Sequence, residues 1–100
     1  MITFAGPTDY SELAPSNHVI WNDVEGELVL FDSRDGSYHA LNEVGSYIWR
    51  NIAHGRELSL IIQDLYNQYQ QDETAIRADV QLFLSDVLAK GLLHFKGAPL

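Results

Sequence analysis

Cysteine is absent from this 100-residue chain, so disulfides and thiolate metal sites are excluded and a cytoplasmic setting fits. Long apolar runs are missing too. None reaches the roughly 18 residues that a membrane span needs. The opening Met-Ile-Thr-Phe-Ala-Gly-Pro lacks the basic region and apolar stretch of a signal peptide. Positive charge is scarce: six Lys and Arg stand against 14 Asp and Glu, a formal net charge of −8. Such a chain is repelled by phosphate backbones and favours basic partners. The seven glycines are isolated, so no phosphate loop is present. His18, His39, His54 and His94 show no paired spacing that suits a metal, and no context singles out a nucleophile. Catalysis, metal binding and a cofactor are therefore not expected.

What is present is a chain of ordinary globular composition, 46% hydrophobic and 20% charged, long enough for one modest core. Residues 1–17, with two prolines and no sustained periodicity, read as a loose arm. The domain is expected over 18–96, followed by a short tail at 97–100. His18-Val19-Ile20-Trp21 and Leu28-Val29-Leu30-Phe31 are short strand-forming runs, separated by a turn around Val24-Glu25-Gly26-Glu27. Asp35-Gly36 is a hairpin signal before a third strand, Ser37 to Leu41. These make an antiparallel meander.

Three helices follow. Asn42 can cap the first and Glu43 favours its dipole, while Val44, Ile48 and Ile52 recur at a spacing of four. Gly45 stands one turn before Trp49, leaving bare backbone for a bulky ring. The second helix, Leu58 to about Tyr69, sets Leu58, Ile61, Ile62, Leu65, Tyr66 and Tyr69 on one face. The third runs from about Glu73 to Lys90, with Ile76, Val80, Phe83, Leu84, Val87 and Leu88 as its apolar stripe. Gly91 stops it, and Leu92 to Phe95 can return as an extended segment. The expected fold is α+β and winged-helix-like, a three-stranded antiparallel sheet followed by three helices.

That architecture raises a winged-helix DNA-binding regulator as an alternative. The third helix would be the reader, yet it holds one Arg and one Lys against Asp79 and Asp86. Nucleic acid is not the expected partner.

Several motifs resemble the PqqD-like family, which are RiPP recognition elements. They are Val19-x-Trp21, Gly26-Glu27-Leu28-Val29-Leu30-Phe31-Asp32, and Gly36-x-Tyr38-x-x-Leu41-Asn42-x-x-Gly45-x-x-Ile48-Trp49. Later parts are Ile61-x-x-x-Leu65-x-x-x-Tyr69 and Asp79-Val80-x-x-Phe83-Leu84-x-x-Leu88-x-x-Gly91-Leu92. Glu57 stands where the family commonly has Thr. The resemblance implies a domain without catalytic residues that holds the leader segment of a ribosomally made precursor peptide. The leader would add a strand on the edge of the third strand, in the groove between it and the third helix. The site implied is then Ser37, Tyr38, His39, Ala40 and Leu41, faced by Asp79, Leu82, Phe83, Asp86 and Lys90. Strand addition is a physical use for an open edge that would otherwise invite aggregation. Implied partners are the leader and a separate processing enzyme, either a transglutaminase-like leader peptidase or a radical SAM enzyme, with no membrane.

Overall fold

The computed structural model describes residues 13–96. Eight elements follow one another: β1 (Leu13–Pro15), β2 (Val19–Val24), β3 (Glu27–Asp32), β4 (Ser37–Ala40), α1 (Glu43–Ala53), α2 (Leu58–Tyr69), α3 (Glu73–Ala89) and β5 (Leu93–Phe95). The expected meander is β2-β3-β4, antiparallel throughout, and the three expected helices follow it.

Its inner face is set by alternation. Leu28, Leu30 and Asp32 of β3 point into the molecule, in register with Trp21 and Val19 of β2 and with His39 and Ser37 of β4. The helices supply the other side of the core, from α1 Ile48, Trp49 and Ile52, from α2 Ile61, Ile62 and Leu65, and from α3 Ile76, Val80, Leu84 and Val87. Trp49 is fully enclosed and meets the Trp21 ring edge-on, with centroids 5.6 Å apart. Tyr66, expected on the buried face of α2, instead stands largely open to solvent.

Three departures from expectation have identifiable causes. The expected arm over 1–17 ends early, because Leu13–Pro15 pair antiparallel with Leu93–Phe95 and Leu13 is buried in the core. A three-residue strand whose partner lies some 80 positions away leaves no local periodicity to read; residues 1–12 and the tail at 97–100 lie outside the described residues. Second, β2 continues through Asn22 and Asp23 to Val24, and only Glu25-Gly26 turn, both at positive φ. Asp23 contributes to that turn by accepting from Gly26 N–H at 2.7 Å, and its carboxylate also pairs with Arg50. Third, the ring over Gly45 belongs to Phe83 and not to Trp49: a Cβ there would lie 3.0 Å from Phe83 Cε1.

Asp32 and Arg34 tie the β3-β4 hairpin to the end of α3. Asp32 is 3% exposed and accepts from the Arg34 backbone N–H at 2.9 Å and from its guanidinium at 2.8 Å. The same guanidinium donates to the Lys90 carbonyl at 2.9 Å. It lies within 2.9 Å of where a Cβ on Gly91 would be, and Gly91 has φ +72°, so both space and backbone require glycine there. The Arg34 hydrogen bonds outweigh burial and hold the Asp32 carboxyl at about 2. An unfolded Asp titrates near 3.9. The stabilisation from this depressed pKa is therefore complete above about pH 4 and is lost as pH falls towards about 2. Asp32→Asn should lower the urea midpoint at neutral pH and flatten its decline over that acidic window; an unchanged profile would contradict the assignment.

Candidate functional site

The sheet has two free edges among the described residues, and β4 forms the one nearer the hairpin clasp. Which of its amides are free follows from one bond. Leu41 N–H donates to the Leu28 carbonyl at 2.9 Å. Antiparallel ladders alternate, so His39 also turns its N–H towards β3, opposite Leu30. The amides of Tyr38 and Ala40 then point outward. Ser37 N–H is taken by Asp35 Oδ1 at 3.0 Å, which closes the turn end of the strand.

Side chains alternate in the same way. Ser37, His39 and Leu41 are half-buried on the inner face, whereas Tyr38 is 71% exposed on the outer one, beside Phe31. Tyr38 therefore stands outside the core, and its backbone N–H is open to an edge partner. Ser37 Oγ donates to Asp35 Oδ1 at 2.7 Å and lies 3.0 Å from His39 Nε2. This chain of contacts fixes the inner side of β4.

Two attachments fix the strand against the helices. At its start stands the Arg34 clasp to Lys90. At its end the chain turns directly into α1, where Asn42 Oδ1 accepts from Gly45 N–H at 2.8 Å. Ser46, fully buried, accepts from Leu28 N–H at 2.8 Å and donates to the Leu41 carbonyl at 3.3 Å. Its hydroxyl sits between the two strand ends in place of a ladder bond. This explains the abrupt strand-to-helix junction: α1 grips both β3 and β4 through one side chain.

The α3 flank expected to face the strand runs from Lys90 beside the clasp to Phe83 against Gly45. Phe83 is half-buried with its ring on α1, and Leu82 is 70% exposed. Asp79, Leu82 and Phe83 line a pocket with Asn42, Val44, Gly45 and Ile48, where the end of the strand meets the helical layer. A second, apolar pocket shares Val44 and Asp79 and adds Leu65, Tyr69, Ile76 and Val80. Asp86 is engaged by Lys90 at 3.0 Å, one turn away on the same helix. Asp79 has no hydrogen-bond or ion-pair partner among the described residues, so it is the acid left to meet a basic group. Thus α3 contributes Asp79, Leu82 and Phe83 to one pocket, with the Asp86–Lys90 pair further along the helix.

Sequence reasoning missed Ser46 and Arg34, which position the site without lining it. A serine inside an apolar helix face was the only local signal for the first. For the second there was none, because its partners are a carbonyl 56 residues away and a buried aspartate. Both cations of α3 are paired within the helix, Arg77 with Glu73 and Lys90 with Asp86, which leaves little with which to read DNA.

A family model described as Coenzyme PQQ synthesis protein D (PqqD) matches residues 27–93. Two solved structures are similar in fold. One, "TbiB1 in Complex with the TbiA(beta) Leader Peptide", is 28% identical, with a TM-score of 0.77 over 86% of this chain and 98% of that one. The other, "Lasso peptide synthetase B1 complexed with the leader peptide", is 20% identical, with a TM-score of 0.78 over 83% of this chain and 98% of that one. A comparison with curated proteins found no match.

Proposed function

Because the chain belongs to the PqqD family, we propose that it binds the leader segment of a ribosomally synthesised precursor peptide and presents it to a separate processing enzyme. The observation that carries this reading is the open edge of β4, with two outward amides, and a pocket just past its end that α3 lines with Asp79, Leu82 and Phe83. TbiB1, similar over nearly its whole length, is described in complex with a leader peptide. On this reading the guest adds an antiparallel strand, taking backbone bonds from Tyr38 and Ala40 and placing alternate side chains against His39, Leu41 and Phe83. The domain itself performs no chemistry. A lasso-peptide pathway with a transglutaminase-like leader peptidase is the setting we favour over a radical SAM pathway, and the cytoplasm is where the ribosomal product would be met.

Titration with the leader of the precursor encoded beside it should give micromolar binding or tighter, about −8 kcal/mol or better. Failure to bind any precursor encoded nearby would overturn the reading. Gly45→Ala offers a finer check. The added methyl must displace the Phe83 ring, which lines the pocket with Asp79 and Leu82, since its Cβ would lie 3.0 Å from Cε1 and 3.2 Å from Asn42 Oδ1. Alanine also regains about 1 kcal/mol of helix propensity, so stability should stay within about that amount. Leader affinity, in contrast, should fall about fivefold, close to 1 kcal/mol. Isothermal titration beside thermal unfolding distinguishes this from a global defect.

A further inference from the structure

The apolar pocket between the start of α1, the end of α2 and the first half of α3 takes no part in strand pairing at β4. Its floor is Leu65, Ile76 and Val80, all buried, and its volume is about 200 Å³. A dry cavity of about 150 Å³ already holds a benzene molecule, so this one takes a single long side chain. Its mouth is polar, with Tyr69, Gln71 and Asp79 exposed around it. Burial pushes the Tyr69 hydroxyl up, and the nearby Glu43 carboxylate adds to that rise. Two acids therefore flank the mouth, and Asp79 has no partner among the described residues. No Lys or Arg lines the pocket.

Continuity with the β4 edge decides what reaches it. A strand paired antiparallel with β4 runs the other way, so its residues N-terminal to the one opposite Ala40 lie beyond Leu41. There it meets first the pocket of Asn42, Gly45 and Phe83, then this one, which shares Val44 and Asp79 with it. On α3 the first pocket uses Asp79, Leu82 and Phe83, and the second uses Ile76, Asp79 and Val80. That is a shift of three positions, about 4.5 Å along the helix. One or two extended residues span it. Lys and Arg bury an aliphatic stem on apolar surface while the charged head stays in water. An apolar floor under an acidic mouth suits that shape. A plain apolar side chain leaves Asp79 unpaired, and an acidic one is repelled.

We propose that this pocket is a subsite for one Lys or Arg side chain of the leader, placed one or two residues N-terminal to the side chain that fills the Phe83 pocket, with its head group paired to Asp79. This rests on the leader-binding reading and adds to it a residue type and a position.

The test uses the full chain and the synthetic leader of the precursor encoded beside it. The leader is acetylated, so its terminal amine cannot stand in for the side chain. Alanine scanning of the leader first locates the apolar anchor, and each Lys or Arg before it is then changed to Met. One such change, one or two residues before the anchor, should weaken binding at least fivefold, about 1 kcal/mol. Asp79 is exposed and unpartnered, so Asp79→Asn keeps the fold. Against that variant the same leader change should cost less than about twofold, because the pair is already broken. Alanine at the position should bind at least about threefold more weakly than Met, which keeps the stem. A leader without Lys or Arg there overturns the proposal. So does an undiminished loss in Asp79→Asn, or equal binding by the Met and Ala leaders. Failure of the unaltered leader to bind at all overturns the leader-binding reading itself, whereas tight binding that no Lys or Arg change weakens overturns this inference alone.

Discussion

Tyr38→Pro and Ala40→Pro should leave the domain folded and reduce leader affinity by at least tenfold each, whereas His39→Pro should lose stability. The division follows from the direction of three amides. Proline removes the N–H and fixes φ, and sheets accept it only on an edge where that N–H faces outward. At Tyr38 and Ala40 the amide lost is one offered to the guest, and the ring blocks the approach of the guest carbonyl. At His39 the loss leaves the Leu30 carbonyl, on a fully buried residue, without its donor. An orphaned acceptor there costs about 1–3 kcal/mol. Circular dichroism with urea unfolding ranks the three variants by stability, and leader titration ranks them by binding. Parent-like binding by both Tyr38→Pro and Ala40→Pro would place the guest elsewhere.

Trp49→Ala should be the most destabilising single substitution in the core. Trp49 is fully enclosed between the sheet and the helices and packs edge-on against Trp21. Removing so large a buried side chain costs about 3–5 kcal/mol, a large share of the 5–15 kcal/mol typical of a whole domain. The indole Nε1–H has no hydrogen-bond partner among the described residues, so the residue contributes volume and not a polar contact. Trp49→Phe should accordingly cost much less than Trp49→Ala. Urea unfolding measures both; equal losses would show that the indole is bonded after all.

Much of this architecture was readable because its signals are local. Asn42 and Asp72 cap α1 and α3 by accepting from the third residue on, at 2.8 and 3.3 Å. Gly55 and Gly91 sit just past helix ends at positive φ, and the apolar spacing of each helix names its buried face. Glu57, in the place of the commoner Thr, indeed opens α2 without a side-chain cap. The two elements proposed for the candidate site could be named for a related reason: a strand edge and one flank of a helix are properties of periodicity. Hidden were the features that depend on distant partners. β1 exists only because β5 is there to pair with it. Arg34 matters only because the end of α3 lies within reach. The direction of each β4 amide depends on register, a property of two strands together. Tyr38 shows the limit most directly, since alternation alone could not say which face of the strand was inward until Leu30 and His39 were seen to share it.

The β1-β5 ribbon has a consequence for how the domain can be joined to other things. Leu13 lies directly across from Phe95, and such partners sit only about 5 Å apart. The chain therefore enters and leaves the folded unit at the same end of the ribbon, as through a single doorway. Any segment before residue 13 and any segment after residue 95 start out as neighbours. A tether attached at either point departs from the same place, and the domain could be inserted into a surface loop of another protein without stretching it. The same closure joins the first and last described strands across some 80 residues, so the core stays open on that side until the last of them is in place.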